Sequence, residues 1–257
     1  MAKVYIGTSG WVYPHWKGIF YPKDLKEKEW LSFYSQNFAS VEINSSFYHS
    51  MAKKVYQGWS QKVSDDFVFA IKGSRFISHV KRLKDCREPL ERLLEESSGL
   101  GKKRGVILFQ LPPRWQADEK RLESFLVHCS QFKVHGRRKT VNSEPSTVNR
   151  FAFEFRDKSW LEDKILSILK KYNAALCIQD SPYWPSREVV TSNFVYLRFH
   201  GGKMLYTSNY SDRELKAWAE NIKKWLNSGF DVFAYFNNDA MGYAIENAKT
   251  LEKLLQS

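Results

Sequence analysis

The stretch FAFEFR, residues 151–156, decides the fold. Side chains on a strand alternate between faces, so Phe151, Phe153 and Phe155 share one face while Ala152, Glu154 and Arg156 share the other. Three phenylalanines call for a cover of helices, and the charged pair opposite them calls for an enclosed space with partners. A barrel wrapped in helices supplies both, with the apolar set against the helices and the polar set in the lumen. The alternation recurs along the chain. Val41 and Ile43 oppose Glu42 and Asn44; Lys72 is in phase with Val68 and Ala70, and Gln110 with Val106 and Leu108; Val195, Leu197 and Phe199 oppose Tyr196, Arg198 and His200.

Strand-like runs fall at 3–8, 40–45, 67–73, 105–111, 151–156, 174–180, 194–201 and 231–238, with amphipathic stretches between them except over 181–193. Eight βα units in 257 residues predict a single α/β domain over residues 1–257, a (β/α)8 TIM barrel, with an open doubly wound sheet as the alternative. No GxGxxG or GxxxxGK[ST] follows the first strand, which weakens that alternative. A polar, basic segment at 133–149 reads as an insertion at the bottom of the barrel.

Hydrophobic residues make up 43% of the chain, but none of the apolar runs reaches the length of a membrane span. MAKVYIGTSGW passes straight into a strand pattern without a signal-peptide core, so a cytoplasmic protein with no membrane contact is expected. Three cysteines, never spaced as CxxC, indicate neither a disulfide framework nor a structural zinc site. The formal charge is +12, which would suit a nucleic acid. Much of it precedes strands or ends helices (102–104, 136–139, 170–171 and 223–224), where the helix dipole favours cations. A nucleic-acid patch on that bottom face is the competing expectation.

The polar residues come late in their strands, at the end where this fold places active sites. Glu42, Asn44, Lys72, Gln110, Glu154, Arg156, Asp180, Arg198, His200, Asn237 and Asp239 are therefore expected to converge on one mouth. A strand-end Asn or Asp often serves only as a turn residue or cap. A set of such ends, with charges that a lumen would not retain without partners, points instead to a functional pocket.

GTSGWVYPHWKGIFYP (7–22), VEINSSFY (41–48), FVFAIK (67–72), FQLPP (109–113), FEFRDKSW (153–160), VYLRFHG (195–201) and YFNNDAMGYAIENA (235–248) resemble the signature of YecE-like proteins, domain-of-unknown-function family 72. The resemblance covers nearly the whole chain. It implies a TIM barrel and carries no established activity. Where the family reads EFRH, this chain has EFRD at 154–157.

Mixed charges at the mouth suit separated acid and base roles. Glu154 and Glu42 are the acid/base candidates, with Asp180 in the same catalytic set; Lys72 and His200 are expected to donate protons or stabilise charge, and Lys72 is also an amine that could form a Schiff base. Gly201 and Gly202 after the seventh strand, with Asn237, Asn238 and Asp239 after the eighth and Arg198 nearby, suggest a phosphate site. Trp11, Tyr48 and Trp160 are rings expected to stack on a sugar or base. No cofactor is required by the pattern; a single Mg²⁺ or Mn²⁺ would find oxygen ligands on Glu42, Glu154 or Asp180. The leading expectation is acid/base hydrolysis of a phosphate-bearing sugar, nucleotide or nucleic acid. A phosphosugar isomerase or lyase and a non-catalytic nucleotide or nucleic-acid binder are the alternatives.

Overall fold

The computed structural model describes residues 1–132 and 149–256. Eight parallel strands form one nearly closed barrel: β1 (Val4–Thr8), β2 (Ser40–Ile43), β3 (Val68–Lys72), β4 (Arg104–Gln110), β5 (Arg150–Glu154), β6 (Ala175–Asp180), β7 (Phe194–Phe199) and β8 (Asp231–Phe236), hydrogen-bonded in the order β1-β8-β7-β6-β5-β4-β3-β2. The expected fold class is therefore the observed one. Residues 133–148 of the anticipated insertion, including the basic run 136–139, lie outside the described residues.

β1 and β2 stand at the two ends of that order, and one side chain bridges the seam. The Tyr34 hydroxyl accepts from the Thr8 amide at 2.9 Å and donates to the Ser40 carbonyl at 3.1 Å. The backbones approach so closely here that a Cβ on Gly7 would stand 2.0 Å from the Ser40 oxygen. Only glycine fits this position.

The helices are α1 (Trp30–Ser35), α2 (Ser45–Tyr48), α3 (Lys53–Ser60), α4 (Arg87–Ser97), α5 (Glu119–Gln131), α6 (Asp163–Lys171), α7 (Asp212–Asn227) and α8 (Tyr243–Gln256). Local chemistry starts several of them. Ser211 and Glu214 form a reciprocal capping box on α7, and Asp118 accepts the Arg121 amide at the head of α5. Asp157, the departure from EFRH, accepts the Ser159 amide and caps the 3-10 turn Lys158–Leu161. Among the described residues no helix is long and apolar enough to cross a membrane.

Two apolar layers follow from strand alternation. Phe69, Phe109, Phe151, Phe153, Val195 and Leu197 pack outward against the helices. Tyr5, Ala70, Val106, Leu108, Ala152, Ala175, Cys177, Tyr196, Phe233 and Tyr235 fill the lower lumen. The barrel is thus a packed core, with Glu42, Glu154 and Arg198 gathered at its upper end.

Candidate active site

One step of two residues up each strand changes the lumen from apolar to polar. Ala70 gives way to Lys72, Leu108 to Gln110, Ala152 to Glu154, Cys177 to Gln179, Tyr196 to Arg198 and Tyr235 to Asn237. Sheet register aligns Gln110 with Glu154 and Gln179 with Arg198.

Arg198 is the centre. Its guanidinium donates to Glu42 Oε1 at 2.8 Å and to Glu154 Oε2 at 2.5 Å, joining carboxylates from β2 and β5 across the lumen. All three side chains are fully buried. Glu42 also accepts from Ser9 Oγ at 3.0 Å and from the Tyr196 hydroxyl at 2.7 Å. Glu154 takes a second guanidinium, Arg156 Nε, at 2.9 Å, and Arg156 continues to Gln110 Oε1 at 3.1 Å and the Tyr206 hydroxyl at 3.3 Å. The Arg156 guanidinium lies 4.6 Å from the Trp184 ring centre, a stacked cation.

These pairings set the protonation states. Burial alone would raise the Glu154 pKa, but Arg198 and Arg156 outweigh it and hold the carboxyl well below the usual range. Burial pulls His200 below the usual histidine value despite Glu154. Its Nδ1 lies 3.2 Å from the Asn237 amide nitrogen and its Nε2 3.5 Å from Glu154 Oε2. With Asn237 donating to Nδ1, the neutral ring carries its proton on Nε2, facing the carboxylate. His200 is therefore a neutral donor and Glu154 a fixed anion.

Lys72 differs from both. Half-buried at the end of β3, its Nζ sits 4.3 Å from the Phe47 ring centre and makes no hydrogen bond or ion pair among the described residues. Burial and then Arg198 push its pKa down to about 8, against the pull of Glu154 and Glu42. Two carboxylates and two guanidiniums cancel, so protonated Lys72 leaves the mouth with one excess positive charge.

The structure brings Glu42, Asn44, Lys72, Gln110, Glu154, Arg156, Arg198, His200 and Asn237 to one mouth, with Asn44 donating to the Ser9 carbonyl at 2.9 Å. It corrects several other expectations. Asp180 faces outward and accepts from Trp218 Nε1 on α7 at 3.0 Å, because the lumen parity of β6 runs Cys177 to Gln179. Asn238 is buried in a brace, donating to the Ser208 carbonyl at 2.9 Å and to Asn247 of α8 at 2.8 Å. Asp239 leaves the floor to meet Trp16 Nε1 at 2.8 Å and His15 Nε2 at 3.0 Å on the rim, where burial raises its pKa to about 6.

The glycine turn is not arranged as an anion cradle. The Gly201 amide already donates to the Tyr210 hydroxyl at 3.0 Å, and a Cβ on Gly202 would meet the Glu214 carboxylate at 3.0 Å. Trp11 packs edge-on against Trp59, and Trp160 stacks on Phe155 and donates to the Trp115 carbonyl, both outside the lumen. Tyr48 is exposed beside the mouth. Nor do the acidic residues form a metal site. Arg198 occupies the space between Glu42 and Glu154, Asp180 is turned away, and among the described residues no three His, Cys, Asp or Glu side chains gather as ligands.

Residues outside the expected set complete the mouth: Ser9, Gln179, Trp184, Tyr196 and Tyr206. Parity alone identifies Ser9, two positions beyond Gly7, as well as Gln179 and Tyr196; Trp184 and Tyr206 arrive on loops and have no period to betray them.

Residues 5–257 match the family described as "Protein of unknown function DUF72". The chain belongs to the DUF72 family. This DUF72 chain is 26% identical over 283 residues to the UPF0759 protein YunF of Bacillus subtilis, covering 98% of itself and 94% of that protein. It is 26% identical to the UPF0759 protein YecE of Escherichia coli K12, covering 86% of itself and 82% of the relative. Among solved structures, a DUF72 family protein from Thermotoga maritima aligns with a TM-score of 0.83 at 26% identity, covering 99% of this chain and all of the other, 100%.

Proposed function

We propose that this DUF72 protein is an enzyme acting on a small anionic carbonyl compound, a phosphosugar aldehyde or ketone, with Lys72 as the reacting amine. The carrying observation is the contrast at the mouth: each buried carboxylate is neutralised by a guanidinium, whereas Lys72 lies over the Phe47 ring with no ion-pair partner among the described residues. A lysine lowered to about 8 holds roughly two orders of magnitude more free amine at neutral pH than an ordinary one. That favours the isomerase or lyase reading over carboxylate-driven hydrolysis, since Glu154 is too firmly ionised to donate a proton.

In this reading Lys72 attacks the carbonyl carbon, and loss of water gives an imine; a proton is then moved on the adjacent carbon, or a carbon–carbon bond is cleaved, and water releases the product. Arg156 holds the phosphate from the edge of the cluster, and the Tyr206 hydroxyl beside it supplies a donor at the mouth. The test is borohydride trapping with dihydroxyacetone phosphate and glyceraldehyde 3-phosphate, followed by peptide mass spectrometry. A reduction-dependent adduct on Lys72, absent in Lys72→Arg, is expected. Phosphosugar binding without any adduct would overturn the imine and return Lys72 to a general acid in hydrolysis.

A further inference from the structure

A second recess lies beside the mouth, between the loops that follow β2 and β3. It encloses about 530 Å³, with Tyr48 and Phe76 among its walls, within the size range of small-ligand sites. Both rings are unusually bare, 67% and 46% exposed. Phe76 opens a single π-helical turn, Phe76–Val80, a local irregularity that often marks function. Phe47 links the recess wall to Lys72: its ring contacts Tyr48 and His79 edge-on and carries the Lys72 Nζ above it.

The loop over β3 is strongly basic. Arg75, Lys81, Arg82 and Lys84 fall within ten positions with no acid until Asp85. None joins the ion pairs that engage neighbouring Lys53, Arg87 and Arg92. Their field is felt nearby, because burial and then Arg75, Lys72, Arg156 and Arg82 push His79 down to about 4. Among the described residues these four make no ion pair; Lys81 lines the recess 6.0 Å from the Phe76 ring centre, and Arg82 lies farther along the loop, 5.9 Å from the Trp115 ring centre. Cations continuing away from bare rings suit a ligand with both phosphates and flat apolar faces.

The opposite wall carries carboxylates, with Glu88 held by Arg92 at 3.2 Å, Glu96 by Ser50 at 2.6 Å, and Asp85 at the loop end. Carboxylates repel a phosphate but accept N–H from the exocyclic amino groups of bases. They also disfavour an anionic lipid surface, which has no donors to offer them. Duplex DNA keeps its base faces stacked inside, whereas an unpaired strand can present one to a recess.

We propose that the recess between Tyr48 and Phe76 binds single-stranded nucleic acid, receiving an amino-bearing base while the adjoining phosphates lie on Arg75, Lys81, Arg82 and Lys84. This is a top-face site, unlike the bottom-face patch suggested by the position of the charge runs, and it stands independently of the Lys72 chemistry.

Fluorescence anisotropy of the full chain with labelled short oligo-dC and oligo-dT, across a salt series, tests it. Oligo-dC is expected to bind several-fold more tightly than oligo-dT, and Asp85→Asn with Glu96→Gln should erase that preference. Tyr48→Ala with Phe76→Ala should weaken both by about tenfold or more, the loss expected when stacking is removed. Arg82→Glu with Lys84→Glu should reduce the slope of log K against log salt by about 1.4, two phosphate contacts on a single strand. Tyr48 and Phe76 are exposed enough for their variants to fold, and unchanged melting confirms it. Absence of binding at low salt, binding indifferent to the ring and loop variants, or binding only to anionic phosphatidylglycerol vesicles would overturn the proposal.

Discussion

The two layers of the barrel lumen are two residues apart on the same strands, yet they are held by different forces. Below, Val106, Leu108, Ala152 and Phe233 fill space and derive their stability from removal of apolar surface from water. Above, Arg198 ties Glu42 to Glu154 with no side-chain exposure at any of the three. The lower layer would tolerate any well-packed apolar set; the upper depends on all its charges being present together. A barrel needs only the first to fold, so the second is retained for what it does at the mouth.

The largest effect is expected at Arg198. Arg198→Ala leaves two buried carboxylates facing each other and should cost about 3–5 kcal/mol, measured by urea denaturation. Replacing Glu42, Glu154 and Arg198 together with Leu, Leu and Met should recover much of that loss, as neutral cores of similar volume do. If the triple replacement is as unstable as the single one, the upper layer holds the fold together and the distinction drawn here fails.

Leu108→Ala in the lower layer should cost about 2–5 kcal/mol, but with a different signature: ligand binding at the mouth should persist at temperatures where the variant is folded. Loss of mouth function in a folded Leu108 variant would show that the layers are coupled.

A pH series sharpens the contrast further. Glu154 ionises more readily in the folded chain than in the unfolded one, so its contribution is complete at neutral pH and disappears as pH falls through and below the ordinary carboxylate range. Lys72 runs the other way. Its folded pKa of about 8 lies below the 10.5 of an unperturbed lysine, so between these the unfolded chain binds more protons and stability rises with pH. Lys72→Met should remove that rise, a difference of up to about 3 kcal/mol. Identical wild-type and Lys72→Met slopes over this window would place the amine in ordinary solvent and remove the basis of the proposed chemistry.

The smallest expected effect lies at the seam. Tyr34→Phe takes away the hydroxyl shared by the Thr8 amide and the Ser40 carbonyl and should cost about 1–3 kcal/mol. Hydrogen exchange should quicken at Thr8 while the amides of β4 and β5 stay protected. Uniform acceleration along the whole barrel would mean that β1 and β2 do not open separately.

The strands, their count and the face each residue takes are legible along the chain, because alternation of period two is local and survives in the runs from Val41 to Phe236. It therefore gave the core of the mouth: Glu42, Lys72, Glu154, Arg198 and His200 all follow from parity. Asp180 is the exception: its charge and strand-end position point to the mouth, but the same parity assigns the lumen position to Gln179 and turns Asp180 to Trp218. Which charges meet depends on closure of the barrel. Arg198 lies 156 positions from Glu42 and 44 from Glu154, and no local pattern records that one guanidinium neutralises both. Closure also leaves Lys72 without an ion-paired carboxylate among the described residues and turns the Gly201 amide to the Tyr210 hydroxyl. Pairing depends on barrel closure and on loops without a repeat, so the chemistry of the mouth belongs to the fold even though its residues can be picked out along the chain.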